Sequence, residues 1–104
     1  MTRLPKYRRP THPGEFLYLD WIEPMGLSVS KAAERLGISR PRLSEIVNGR
    51  RGISPDTAAR LSKFLGTSAD VWMGLQSDYD LWGALYGPDA TDVTAIEPAE
   101  RSAG

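Results

Sequence analysis

Between Gly37 and Gly52 the sequence reads GISRPRLSEIVNGRRG, and its side chains are of types that meet nucleic acid. Arg40 and Arg42 carry planar guanidinium groups, each able to donate two hydrogen bonds to guanine O6 and N7. Glu45 can accept from cytosine N4, or it can pair with Arg42 three residues earlier on the same helix. At about 100° per residue, Leu43, Ile46 and Val47 share one side of a helix. Pro41, Glu45 and Asn48 fall on the other side, flanked by Arg42 and Ser44, with Arg40 at the amino-terminal end. Arg40, Pro41, Arg42, Ser44 and Glu45 are therefore expected at base edges.

A second group suits phosphate. Ser30 and Lys31 begin the preceding helix, where free N–H groups and the positive end of the dipole favour an anion. Ser39 is a short hydroxyl donor, Asn48 ends the reading helix, and Arg50 and Arg51 follow in the loop. These six residues are expected at the nucleic-acid backbone. Arg8 and Arg9 belong to a basic arm of the kind that reaches into a minor groove beside a helical reader.

Such a set works only if two short helices cross closely. Gly37 permits a sharp turn and small Ala33 permits close approach, while Ile38, Leu43 and Ile46 supply the wedge between the helices. The punctuation of the rest of the chain fits an all-α fold of five helices. Thr11 or His12 caps the first, which carries Phe16, Leu19 and Ile22 at buried-face spacing and stops at Pro24 and Gly26. Ser28 caps the second and Gly37 ends it. Ser39 caps the third, Pro41 sits in its first turn where a missing N–H costs nothing, and Gly49 stops it. Ser54 and Pro55 open the fourth and Gly66 closes it. The fifth, SADVWMGLQSDYDLWGALYG, bears more apolar surface than so small a domain needs. Its Trp72, Leu75, Tyr79, Trp82 and Leu85 are assigned to core or dimer packing.

The chain has 104 residues, no cysteine, a single histidine and a formal net charge of zero. One small core is expected, with a gain from pairing to a second copy. Disulfides are excluded, and no metal or cofactor is expected, because Asp78 and Asp80 point about 200° apart on a helix. Neither a secretory leader nor an apolar run long enough for a membrane is present, so a cytoplasmic protein with no membrane partner is expected. The zero charge hides a division. Twelve basic and six acidic residues lie between Met1 and Gly66, against one basic and seven acidic beyond it. A polyanion-facing half is thereby separated from a half that would repel one. Three segments are expected: a basic arm over 1–10, a helix-turn-helix domain over 11–87, and a flexible acidic tail over 88–104, in which DVTAI could pair as an edge strand with a partner. His12 stands without a paired nucleophile and reads as a cap, and nothing in the chain resembles an enzyme site.

RPTHPGE before the first helix, ERLGISRPRLSEIVNGRRGISPDTAARL through the next three, and FLGTSADVWMGLQSDYDL into the fifth resemble the HigA family of bacterial antitoxins, a branch of the phage-repressor-like helix-turn-helix proteins. The resemblance spans Arg9 to Tyr86. It implies a homodimer that neutralises a RelE-like, ribosome-dependent messenger-RNA endonuclease and represses its own operon at a palindromic operator. A regulator of the same fold without a toxin, or an interaction module without DNA binding, are the alternatives.

Overall fold

The computed structural model describes residues 4–100. Its helices begin where a short acceptor can satisfy the first free N–H groups. His12 Nδ1 accepts from the N–H of Gly14 at 2.9 Å and opens α1 (Pro13–Leu17). Ser28, Ser39, Ser54 and Ser68 do the same for α2 (Val29–Leu36), α3 (Arg40–Val47), α4 (Pro55–Leu65) and α5 (Ala69–Tyr86). Each such cap contributes about 1 kcal/mol. No strand occurs among the described residues.

The first helix departs from simple periodicity, because α1 passes into a π-helical turn over Tyr18–Ile22. Pro24 has no N–H to offer the carbonyl of Asp20, and the turn widens, with the Glu23 N–H bonded to the Tyr18 carbonyl at 2.9 Å. At the other end, Gly14 is buried where α1 meets α3, and a Cβ there would overlap the carbonyl oxygen of Ile46. Glycine is what lets the two backbones touch.

α1 packs against α3 and α5, α2 against α3 and α4, and α4 against α5. Leu17, Ile22, Ala33, Leu36, Leu43, Ile46, Ile53, Leu61 and Trp72 form the core, with Trp72 wholly enclosed. Its indole N–H donates to the Thr67 hydroxyl at 2.7 Å, so burying the ring leaves no orphan donor. The expected α5 stripe divides in consequence. Trp72 is core, Leu75, Tyr79 and Trp82 are half-buried, and Leu85 is 45% exposed. Of the two roles expected for Leu85, its exposure leaves packing against a second copy.

The arm lies along α5. The Trp82 indole donates to the Pro5 carbonyl at 2.9 Å, Leu4 is buried, and the Arg9 guanidinium sits 3.9 Å over the Tyr79 ring. Arg9 makes a cation–π contact with Tyr79, and both Arg8 and Arg9 are exposed. Residues 88–100 are exposed and contain no strand; DVTAI holds a turn in which Asp92 accepts from the N–H and hydroxyl of Thr94.

Candidate nucleic-acid interface

α2 and α3 cross at Ala33, Leu43 and Ile46, all buried, with Ile38 half-buried in the turn. Gly37 carries the turn at φ 73°, in the left-handed region, and a Cβ on it would stand 2.9 Å from Arg60 Nη1. That guanidinium donates to the carbonyls of Leu36 and Gly37 at 3.0 and 3.2 Å, closing the end of α2. Its Nε donates to Asp56, which also accepts from Arg42 Nη2 at 3.0 Å. Arg42 reaches the Thr57 hydroxyl as well, at 2.6 Å. Arg60, Asp56 and Arg42 thus tie the end of α2 and the first turn of α3 to α4. Bonding to Arg60 first, and to Arg42 second, holds the Asp56 carboxyl below the usual carboxylate range.

The four arginines of the opening segment now differ. Arg42 is engaged by Asp56 and Thr57, and Arg51 donates to Glu45 at 2.8 Å. Glu45 consequently does not pair with Arg42: α4 offers Arg42 a carboxylate and a hydroxyl together, and the loop returns Arg51 over Glu45. Arg40 and Arg50 are exposed and make no ion pair among the described residues. Exposed pairs of this kind are worth at most about 1 kcal/mol. What they decide is which cations stand ready for an incoming anion.

Ser39 Oγ accepts from the Arg42 N–H at 3.2 Å, which leaves its hydroxyl hydrogen to donate outward. Asn48 Nδ2 donates to the Ser44 carbonyl at 2.8 Å, while Ser30, Lys31 and Pro41 are exposed on the same pair of helices. Lys31 makes a loose 3.4 Å contact with Glu34. No set of three or more histidine or acidic side chains is placed to hold a metal among the described residues, and no helix there is long and apolar enough to cross a membrane.

A helix-turn-helix family model matches residues 20–72, half of the chain. The sequence is 46% identical to virulence-associated protein I of Dichelobacter nodosus over 92 residues, which are 88% of this chain and 83% of that protein. It is 36% identical to antitoxin HigA-1 of Vibrio cholerae over 75 residues, 72% and 70% of the two chains. The structure of the Pseudomonas aeruginosa antitoxin HigA with the higBA promoter superposes at a TM-score of 0.71 and 43% identity, covering 73% of this chain and 83% of that one. The chain belongs to the HigA family of helix-turn-helix antitoxins. It is accordingly a helix-turn-helix regulator and not an enzyme.

Two parts of this HigA-family interface escape a reading of the sequence. The Arg42–Asp56–Arg60 clamp joins residues on two helices. Gln76, on α5, is 7% exposed and accepts the Ile53 N–H at 2.7 Å, anchoring the loop that carries Arg50 and Arg51. Its amide in turn donates to Asp80. One signal was available: Gln76 lies four residues after Trp72 and three before Tyr79, a polar residue in register with the apolar stripe. Gln76→Leu is expected to leave the Ile53 N–H buried without an acceptor, lowering stability by about 1–3 kcal/mol. Urea unfolding measures this, and an unchanged midpoint would contradict the anchor.

The His12 cap carries a pH dependence. Burial lowers its imidazole pKa from the ordinary 6.5, Arg9 adding to the shift while Asp80 and Glu15 oppose it. Protonation would also remove the Nδ1 lone pair from the Gly14 N–H. A lowered folded-state value means full stability above pH 6.5 and progressive loss as pH falls below it. His12→Asn, which caps without titrating, is expected to flatten that part of the pH–stability curve in thermal melts.

Proposed function

We propose that the chain is a dimeric repressor and antitoxin that neutralises a RelE-like, ribosome-dependent messenger-RNA endonuclease and represses its own operon at a palindromic operator. The observation that carries the DNA part is the pair of unengaged guanidinium groups, Arg40 at the start of the reading helix and Arg50 in the loop after it. Arg40, Pro41, Arg42, Ser44 and Glu45 face base edges, and Ser30, Lys31, Ser39, Asn48, Arg50 and Arg51 face phosphate. For Arg42 and Glu45 this requires exchanging Asp56, Thr57 and Arg51 for the DNA. A relative solved with promoter DNA supports the reading.

Val71, Leu81 and Leu85 are each between 43 and 48% exposed along α5, an apolar surface suited to a second copy. A two-fold dimer would present its reading helices to half-sites about 10 base pairs apart or a multiple of that. Residues 1–10 serve as a basic arm, 11–87 as the helix-turn-helix domain and 88–104 as an acidic tail, in a protein of the cytoplasm. Co-expression with the product of the neighbouring gene tests the toxin part, through rescue of growth and recovery of a complex. Failure to rescue removes the antitoxin role and leaves operator binding to stand on a mobility-shift assay with its own promoter.

A further inference from the structure

We infer that the hollow beneath the turn of the amino-terminal arm holds a backbone phosphate of the DNA that flanks each half-site. This rests on the operator-binding reading above and extends its footprint to a second element. The hollow encloses about 250 Å³ between Pro5 and Pro10, and Arg8, Arg9 and Thr11 line it with them. The arm is fixed in place: Leu4 is buried, the Trp82 indole donates to the Pro5 carbonyl, and the Arg8 N–H closes a turn on that same carbonyl at 3.4 Å. The Arg9 guanidinium lies over the Tyr79 ring at 3.9 Å and the Trp82 ring at 5.3 Å. Ring contact occupies the face of the guanidinium and leaves its N–H edge unspent. Neither Arg8 nor Arg9 forms an ion pair or a side-chain hydrogen bond among the described residues.

Two arginines lining one hollow repel each other, and an anion between them reverses the sign of that interaction. A phosphate suits both, since each planar fork can give it paired N–H bonds and the Thr11 hydroxyl can donate another. Two carboxylates are close but lie outside: Asp89 shares a cavity with Arg9 and Glu15 shares one with Thr11, and neither lines this hollow. Position then selects DNA as the source of the phosphate. Tyr79, which carries Arg9, meets the His12 ring edge-on at 4.8 Å, and a Cβ on Gly49 would stand 3.8 Å from His12 Cγ. Gly49 leads directly into Arg50 and Arg51. One stack of two rings therefore separates the arm from the loop proposed to grip phosphate. A strand held at Arg50 brings its next phosphates to the arm at high effective concentration, an advantage that a free phosphate lacks.

The test uses the full chain and two duplexes bearing the operator from its own promoter. One is trimmed at the outer edges of the half-sites, and the other is extended by about six base pairs on each side, a little over half a helical turn. The unmodified chain is expected to bind the longer duplex about tenfold more tightly at low salt, and Arg8→Ala to lose that gain while binding the trimmed duplex unchanged. On the longer duplex the slope of log affinity against log salt should fall by about one for each subunit in Arg8→Ala. Arg8 is exposed and its side chain bonds to nothing among the described residues, so the urea midpoint of this variant stays in place. A gain that Arg8→Ala retains, or no gain from the flanks in the unmodified chain, overturns the site and leaves the reading at Arg40 and Arg50 intact. Equal losses on both duplexes put Arg8 inside the half-site and also overturn it. If the unmodified chain shifts neither duplex, the operator reading itself fails and the arm site with it.

Discussion

Gly14→Ala is expected to destabilise the protein by about 3 kcal/mol, and to weaken operator binding with it. Two effects compete. Alanine in a helix is favoured over glycine by roughly 0.5–1 kcal/mol. Against this, the new methyl would occupy the place of the Ile46 carbonyl oxygen, and would stand 3.0 Å from His12 Nδ1. A backbone carbonyl cannot rotate aside as a side chain can, so α3 has to move as a body or the first helix has to tilt. Packing therefore outweighs propensity. With α3 as the proposed reading helix, the displacement is expected to reach the DNA face as well as the core. Urea unfolding measures the first consequence and a mobility shift the second; a midpoint equal to or above that of the unmodified chain would show that the helices do not meet through this glycine.

Arg40→Ala and Arg50→Ala are expected to part company in DNA binding. Arg40 begins α3, the proposed reading helix, and loss of the bidentate contact to guanine proposed for it would cost about 1–3 kcal/mol at each half-site. For a two-fold dimer this is about 2 kcal/mol or more, a fall of at least roughly 30-fold on the operator, with a smaller fall on unrelated DNA. Arg50 follows the helix in a loop held by Gln76, and its loss is expected to weaken operator and unrelated DNA alike. The slope of log affinity against log salt should then drop by about one for each subunit. Titrations of both variants at several salt concentrations, on the operator and on a scrambled duplex, separate the roles. Equal losses on both duplexes for Arg40→Ala would make it a backbone contact.

Salt dependence also bears on the charge division along the chain. The basic half contains α2, α3 and α4, and the acids that bring the net charge to zero lie mostly on α5 and beyond. Some of the basic half is internally spent. Asp56 takes two guanidinium groups and Glu45 a third. The cationic surface left unpaired is accordingly narrower than the composition implies, and in the proposed function it is centred on Arg40 and Arg50.

Several features were legible because their chemistry is local. Ser28, Ser39 and Ser54 each accept an N–H three residues ahead, and Pro41 and Pro55 occupy first turns, so the helix starts follow from spacing alone. The stops at Gly37, Gly49 and Gly66 follow from left-handed backbone that glycine adopts without strain. Other features join residues far apart in sequence. Arg42 meets Asp56 14 residues away, Gln76 meets Ile53 23 away, and Trp82 meets Pro5 77 away. No periodicity encodes those pairings.

By itself the sequence determined an all-α chain with a helix-turn-helix at its centre, since caps, stops and apolar stripes act over three or four residues and are written in the order of the side chains. Tertiary structure alone decided which cations are free. A guanidinium finds its carboxylate according to how two helices cross, and the crossing of α3 with α4 draws Arg42 away while leaving Arg40 open. It likewise placed Arg9 on Tyr79, because only packing puts distant segments side by side.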